Sequence, residues 1–296
     1  VTAIGVIGLG NMGRGMALTL KRAGYRVLGF DVMATVRAAL AAEGIETVAT
    51  IGGVMEAAEI VILSLPTAEI VETVVAGEGG ILAHARAGVV IVDTSTSHPD
   101  TTRRMAGLVA AKAMSFVDAP VSGGPKGAIA GNMTMVIGGA DADVARVMPM
   151  LEHMSAKRVH VGPAGAGHVT KIVNNLLCAA HLLTGAEAIR IARESGVDVE
   201  RLLEGLNAGS GRSGVTQVNF PSWVLNGAFN SGFTMKLMRK DVRLAEQFTG
   251  ELGLSLPLTA VAARIWAESA ATIADDEDFN RIVELRLGHA GRSEPS

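Results

Sequence analysis

The sequence predicts an α/β fold, with an N-terminal Rossmann-type doubly wound sheet and a C-terminal all-helical domain. Three observations predict it. The first half alternates short β-branched runs with helical stretches. A glycine cluster, Gly8-Leu9-Gly10-Asn11-Met12-Gly13, lies between the first such run and the first helix. From His168 onward the apolar spacing is helical, with no convincing β pattern.

Ala3–Ile7 is a β-rich run, and a helix extends from the glycine cluster to about Ala23. Gly24-Tyr25 breaks that helix, Arg26–Phe30 is the next strand, and Asp31 closes it. Further strands are expected at 59–65 (before Pro66), 89–92, 116–117, 133–137 and 158–161. Helices are expected at 38–43, 70–75, 98–113 (with Pro99 near its start) and Asp141–Met154. The segment 162–167, rich in glycine, is a hinge or helix entry. One long apolar helix follows over 168–194, roughly 40 Å at 1.5 Å per residue, with Gly185 allowing close packing. Beyond it come helices at 198–206, 223–225, 234–252, 258–270 and 278–287. A glycine- and serine-rich loop occupies 209–214, and a polar tail after Gly288 is expected to fray. The domains therefore divide as 1–163 and 164–296.

Each glycine of the cluster has a physical task. Gly8 permits a tight turn, Gly10 removes a side chain where backbone must approach pyrophosphate, and Gly13 lets the helix pack on the sheet. The helix N-terminus offers unpaired N–H groups to phosphates. Asp31 lies 18 residues after Gly13 and suits an adenosine ribose. Its charge would repel a 2′-phosphate, so NAD is favoured over NADP. Arg26 precedes it, Val32 and Met33 offer no cation, and Arg37 is the nearest later group for such a phosphate. A glycine-rich turn with a solvated acid is the plainer alternative, but it leaves the strand-turn-helix-strand-acid order unexplained.

Composition narrows the function classes. The chain has 296 residues, with 26 Lys and Arg against 29 Asp and Glu. A net charge of −3 gives no basic surplus for nucleic acid. Mean hydropathy is +0.36 with only 3% aromatics, so Ala, Val, Ile, Leu and 13 methionines must build the core. Apolar stretches look strand-length, so no membrane association is expected. The single cysteine, Cys178, excludes an internal disulfide and reads as a buried small hydrophobe in a cytoplasmic protein. Scattered histidines show no metal spacing and no metal is expected; His98 and His168 read as helix caps or borders. Neither a nucleophile elbow nor a Walker loop is present, which disfavours a hydrolase.

The chemistry-bearing residues lie elsewhere. Asp118-Ala119-Pro120-Val121-Ser122-Gly123-Gly124 follows a strand, and its glycines can bring N–H groups up to a carboxylate; a purely structural turn is the alternative. Lys171 and Asn175 share a helix face, with Asn174 beside them, in an otherwise apolar stretch. Burying such groups without partners is costly, so they need an account. Lys236, Lys240 and Asp241 form a second cluster, either solvated or reaching toward a ligand. Arg212 is a substrate gate or a loop cation.

These residues resemble the β-hydroxyacid dehydrogenase family, whose members act on 3-hydroxyisobutyrate, tartronate semialdehyde and threonate. Gly8 to Gly13 resembles its cofactor loop and Asp118 to Gly124 its substrate signature. Gly165-x-Gly167-x-x-x-Lys171-x-x-Asn174-Asn175 resembles its catalytic helix, and Lys240-Asp241 with Ala245 its late lysine segment. The resemblance implies NAD bound by Gly8, Leu9, Gly10, Asn11, Met12, Gly13 and Asp31. Leu65 and Pro66 would line its path, Ser95 or Thr96 its nicotinamide side, and Lys240 would close over it. It further implies a substrate carboxylate held by Ser122, Gly123 and Gly124, orientation by Asn175, and Lys171 as general acid/base. In that role the lysine needs a lowered pKa, supplied by burial or a nearby positive nicotinamide. The related 6-phosphogluconate dehydrogenases carry a histidine where this chain has Asn174, and imine reductases usually lack the lysine.

The expected activity is NAD-dependent oxidation of a small 3-hydroxy acid, foremost 3-hydroxyisobutyrate, to a semialdehyde or keto acid. Alternatives are reduction of tartronate semialdehyde (2-hydroxy-3-oxopropionate), oxidation of a threonate-type sugar acid, and, more distantly, non-catalytic NAD(H) sensing. The substrate is a small hydroxy acid or aldehyde acid. The apolar long helix points to a homodimer or homotetramer.

Overall fold

The structure is a computed structural model and describes residues 2–287. The polar tail expected to fray lies outside the described residues. The chain divides into two compact units, Val1–Lys171 and Ile172–Ser296.

The first unit is built on nine strands: β1 (Ala3–Ile7), β2 (Arg26–Phe30), β3 (Glu46–Thr47), β4 (Ile60–Leu63), β5 (Val90–Asp93), β6 (Ser115–Asp118), β7 (Val121–Ser122), β8 (Met133–Gly138) and β9 (Ser155–Gly162). They run in the order β3-β2-β1-β4-β5-β6-β8-β7, with β9 paired to β8. The strands from β3 to β6 are parallel, while β8 runs antiparallel to β6 and β7. The sheet is therefore mixed. The short segment β7 and the helix Gly124–Ala130 turn the chain around before β8. Neither was foreseen, because two residues carry no readable period and the glycines obscure a seven-residue helix.

The central strands explain the high hydropathy. Every residue of β1, β4 and β5 is buried. Alternate side chains feed two separate cores: Ile4, Val6, Ile60, Ile62, Val90 and Val92 on one face, Ile7, Val61, Leu63 and Ile91 on the other. Helices Asn11–Arg22 and Asp141–Met154 cover the first face. Sheet register aligns the carboxyl ends that matter, Ile7 opposite Leu63, Leu63 opposite Asp93, and Asp93 opposite Asp118. The order reverses between β1 and its neighbours β2 and β4, which is where open α/β sheets bind ligands. The strand β3 and helix Ile51–Ala57 fill the stretch the sequence left unassigned.

The second unit is helical, as expected. Helix Ala166–Glu194 contributes Ala179, Leu182, Leu183, Ala186 and Ile189 to its core, with Phe220 and Trp266. A Cβ at Gly185 would lie 2.6 Å from the Phe220 ring, which accounts for that glycine. This helix is long and apolar enough to cross a membrane by length and composition. Polar residues such as Lys171, Asn174, Asn175 and His181 interrupt its apolar runs, and its buried side feeds the core just described. Cys178 is half-buried against that core rather than enclosed.

Two other expectations need correction. The helix expected over 223–225 is the end of a π-helix, Val215–Val224, with Pro221 inside it. A proline reads as a break, yet the wider turn seats it and buries Val215, Phe220 and Val224. The helix expected over 278–287 is a 3₁₀ turn, Phe279–Val283, followed by one α-turn, Glu284–Leu287.

Candidate active site

The first unit carries a nucleotide cradle at the end of β1. Gly8 has φ +90°, and a Cβ there would lie 2.3 Å from the Ser64 carbonyl oxygen. A Cβ at Gly13 would lie 1.9 Å from the Gly8 carbonyl oxygen. A Cβ at Gly10 would meet nothing within 4 Å, so the loop opens beside the first turn of helix Asn11–Arg22. Asn11 is exposed and Met12 half-buried there. Leu9 differs: its side chain is buried in the sheet core, so only its backbone faces the loop.

Asp31 is fixed by two backbone donors. Leu9 N–H donates to Oδ2 and Met33 N–H to Oδ1, each at 2.9 Å. Each oxygen keeps a lone pair for a ribose hydroxyl. Arg26 is taken up by Glu46, whereas an Arg37 Nη1 donates to the Asp31 carbonyl at 2.6 Å. The acid and the one neighbouring cation the sequence offered are thus side by side. An open glycine floor, a helix N-terminus and an oriented acid fit a dinucleotide.

The loops after β4 and β5 are joined. Ser95 Oγ accepts from Leu65 N–H at 3.0 Å, so the serine hydroxyl is committed to holding that loop. Pro66 is exposed and Thr96 half-buried.

The substrate signature and the lysine meet within the same unit. Lys171 is 7% exposed, and its Nζ donates to Ser122 Oγ at 2.9 Å. Gly123 (φ +123°) and Gly124 (φ +61°) follow, in backbone conformations a side chain would strain. The structure also assembles a group that sequence reasoning left dispersed. Asp93, Ser95, Ser97, Thr102, Asp118 and His168 are all buried. Asp118 caps the entry to the long helix, accepting from Gly165 N–H at 2.7 Å and His168 N–H at 2.8 Å. His98 does cap a helix, accepting from Asp100 N–H at 3.3 Å. His168 does lie at a helix border, in the first turn of helix Ala166–Glu194, and it is fully buried with both ring nitrogens engaged. Its spacing in the sequence carried no sign of this, because its partners lie 66 and 73 residues away.

The second unit has its own polar chain. Asn175 Nδ2 donates to Asp241 Oδ2 at 2.6 Å, and Asn174 Nδ2 donates to Asn175 Oδ1 at 3.1 Å. Lys240 Nζ lies 3.1 Å from Asp241 Oδ1. Asp241 is 2% exposed and holds both an amide and an ammonium, a role that adjacency to Lys240 alone did not reveal. Lys236 and Arg212 are exposed. Ser231 donates to Asp278 through both its backbone N–H and its hydroxyl.

Sheet, cradle and helical unit together define an NAD-binding-domain oxidoreductase with an all-helical second domain. Residues 3–162 match the NAD binding domain of 6-phosphogluconate dehydrogenase. Residues 165–286 match the NAD-binding domain described for NADP-dependent 3-hydroxyisobutyrate dehydrogenase. The chain is 39% identical to 2-(hydroxymethyl)glutarate dehydrogenase of Eubacterium barkeri, over 95% of this chain and 94% of that one. It is 35% identical to 3-hydroxyisobutyrate dehydrogenase of Pseudomonas aeruginosa, covering 97% and 99% of the two chains. Its fold is similar to the solved structure of Mycobacterium tuberculosis 3-hydroxyisobutyrate dehydrogenase with L-serine. That likeness has a TM-score of 0.87 at 34% identity, over 96% of this chain and 99% of that one. The chain belongs to the β-hydroxyacid dehydrogenase family.

Proposed function

We propose that this protein oxidises a small 3-hydroxy acid with NAD, 3-hydroxyisobutyrate foremost. The observation that carries the reading is the Lys171 amine, buried and donating to Ser122 beside two glycines of positive φ. Ser122 and the Gly123 and Gly124 N–H groups receive the substrate carboxylate. Lys171 Nζ takes the proton of the substrate hydroxyl, and in the reverse direction returns it to the developing alkoxide. NAD, when bound, supplies the hydride acceptor. Gly8 to Gly13 and Asp31 hold it, with Leu65, Pro66 and Thr96 along its course, and Asp31 sets the preference over NADP. Asn175, fixed by Asp241, orients the substrate, and Lys240 belongs to the cofactor side.

A dicarboxylic hydroxy acid is a second reading, and Lys126 favours it. This exposed lysine lies three residues after Gly123, and among the described residues it makes no hydrogen bond or ion pair. It suits a second carboxylate of the kind that the name 2-(hydroxymethyl)glutarate implies for the relative. Absorbance at 340 nm with both cofactors, across 3-hydroxyisobutyrate, 2-(hydroxymethyl)glutarate, threonate, tartronate semialdehyde and L-serine, separates the readings. Turnover confined to the dicarboxylate, with a raised KM in Lys126→Ala, selects the second. Inertness on the whole panel overturns both.

A cytoplasmic homodimer or homotetramer completes the proposal. Val173, Leu177 and Ile191 lie along one side of the long helix at 46%, 51% and 68% exposure, a surface that suits a second copy. Light scattering that finds a monomer at micromolar concentration removes this part.

A further inference from the structure

We infer that His168 is a positioning residue: its ring ties the loop after β5 to the helix turn that carries Lys171. The inference rests on the proposed role of Lys171. The Ser95 carbonyl has no hydrogen to give, so Nε2 must carry one and donate across 2.9 Å. Nδ1 pairs with the Thr102 hydroxyl at 2.7 Å. The backbone N–H of the same residue donates to Asp118, itself in register beside Asp93. Asp93 in turn accepts from Ser95 N–H at 3.0 Å and from the Ser97 hydroxyl at 3.2 Å.

Three elements therefore meet on one imidazole: the β5 loop, helix Pro99–Ala110 through Thr102, and the first turn of helix Ala166–Glu194. Ser95 also holds the Leu65 N–H, which extends the tie to the loop after β4. Lys171 follows His168 by three residues, on the same side of the helix. His168, Ser95, Thr102, Asp118 and Asp93 are buried, so the ring's two bonds are shielded from solvent. The ring's two hydrogen bonds go to Ser95 and Thr102, not to the groups proposed to meet the substrate. It acts by setting where the helix turn stands against the loops proposed to border the cofactor. A displacement of about 1 Å at reacting groups can cost a hundredfold in rate.

The test uses His168→Gln, His168→Asn and His168→Leu in the full chain, with Lys171→Ala in parallel. A glutamine places an N–H donor where Nε2 stands and keeps the Ser95 bond. An asparagine reaches only the Nδ1 position and keeps Thr102. The expected result is kcat within about threefold of wild type for the glutamine variant, and a loss of about tenfold to a hundredfold for the asparagine and leucine variants. KM for the hydroxy acid should move less than threefold. A second readout needs no turnover: in the cofactor-free protein, an amine-directed reagent, followed by mass spectrometry, should label Lys171 faster in the asparagine and leucine variants than in wild type or the glutamine variant. Equal kcat and equal labelling in the asparagine and glutamine variants overturn the positioning role, whether or not the leucine variant folds. An active wild type with an inert Lys171→Ala variant keeps the proposed chemistry intact through such a failure. A wild type inert on every hydroxy acid overturns both.

Discussion

Two buried polar networks, one in each unit, differ in how they are held. In the sheet unit, Asp93 and Asp118 stand in register at adjacent strand ends, and every partner is a nearby backbone group, hydroxyl or ring. In the helical unit, Asn175, Asp241 and Lys240 form a chain across two helices that ends on a partly exposed ammonium. Parallel strands bring their ends together as a consequence of the fold, so the first network is rigid scaffold. The second depends on two side chains meeting, so it is the more sensitive to a single truncation.

The largest expected effect tests the centre of the first network's surroundings. Lys171→Ala should lower turnover by about a thousandfold, while NAD affinity by fluorescence titration stays within about twofold. Turnover near wild type would remove the amine from the mechanism. The next effect breaks the second network. Asp241→Ala leaves the Asn175 amide buried without its acceptor and should cost about 1–3 kcal/mol in urea unfolding. A loss no larger than that of a surface substitution would show that the helical network is not held as described.

A smaller effect addresses the cradle. Asp31→Ser should move the NAD-to-NADP ratio of kcat/KM by about tenfold toward NADP, because a repelling charge goes while Arg37 stays. Adding Arg37→Ala should cancel the gain, and an unchanged ratio in the single variant would exclude the ribose contact. The smallest effect is at the sheet edge. Glu46 is held below the ordinary carboxylate range by its hydrogen bond from Arg26. The folded group titrates below its unfolded value, so its contribution is present at neutral pH and lost on acidification through the carboxylate range. Both partners are about half exposed, so Glu46→Gln should leave the melting temperature within about 1 °C. A larger shift would mean the edge carries more of the sheet's stability than its exposure suggests.

Legibility in the sequence follows the same division. The glycine cradle was readable because each glycine answers to its immediate neighbours: Gly8 to the turn, Gly13 to the Gly8 carbonyl. Strands β1, β4 and β5 were readable because fully buried strands are near-continuous apolar runs, and β2 because only its first residue, Arg26, is exposed. Lys171, Asn175 and Ser122 stood out as polar groups in apolar or turn-rich settings, and Lys171 and Ser122 do meet. His168 did not stand out, since its ring partners, Thr102 and Ser95, come from other elements. The antiparallel turn at β8 and the π-helix around Pro221 were also hidden, because local pattern does not reveal strand direction or a widened helical turn.

By itself, the sequence determined the order of the motifs, the conformational freedom at Gly8 and Gly13, and the apolar periodicities that separate sheet from helix. Those properties are local, arising from sterics and side-chain spacing within a few residues. Only the tertiary structure decided which buried polar groups are partnered: Asp118 with the entry to the long helix, His168 with Ser95 and Thr102, Asn175 with Asp241. The reason is physical. Burying a polar group is costly until a partner desolvates with it, and that partner arrives from tens of residues away only when the chain has folded.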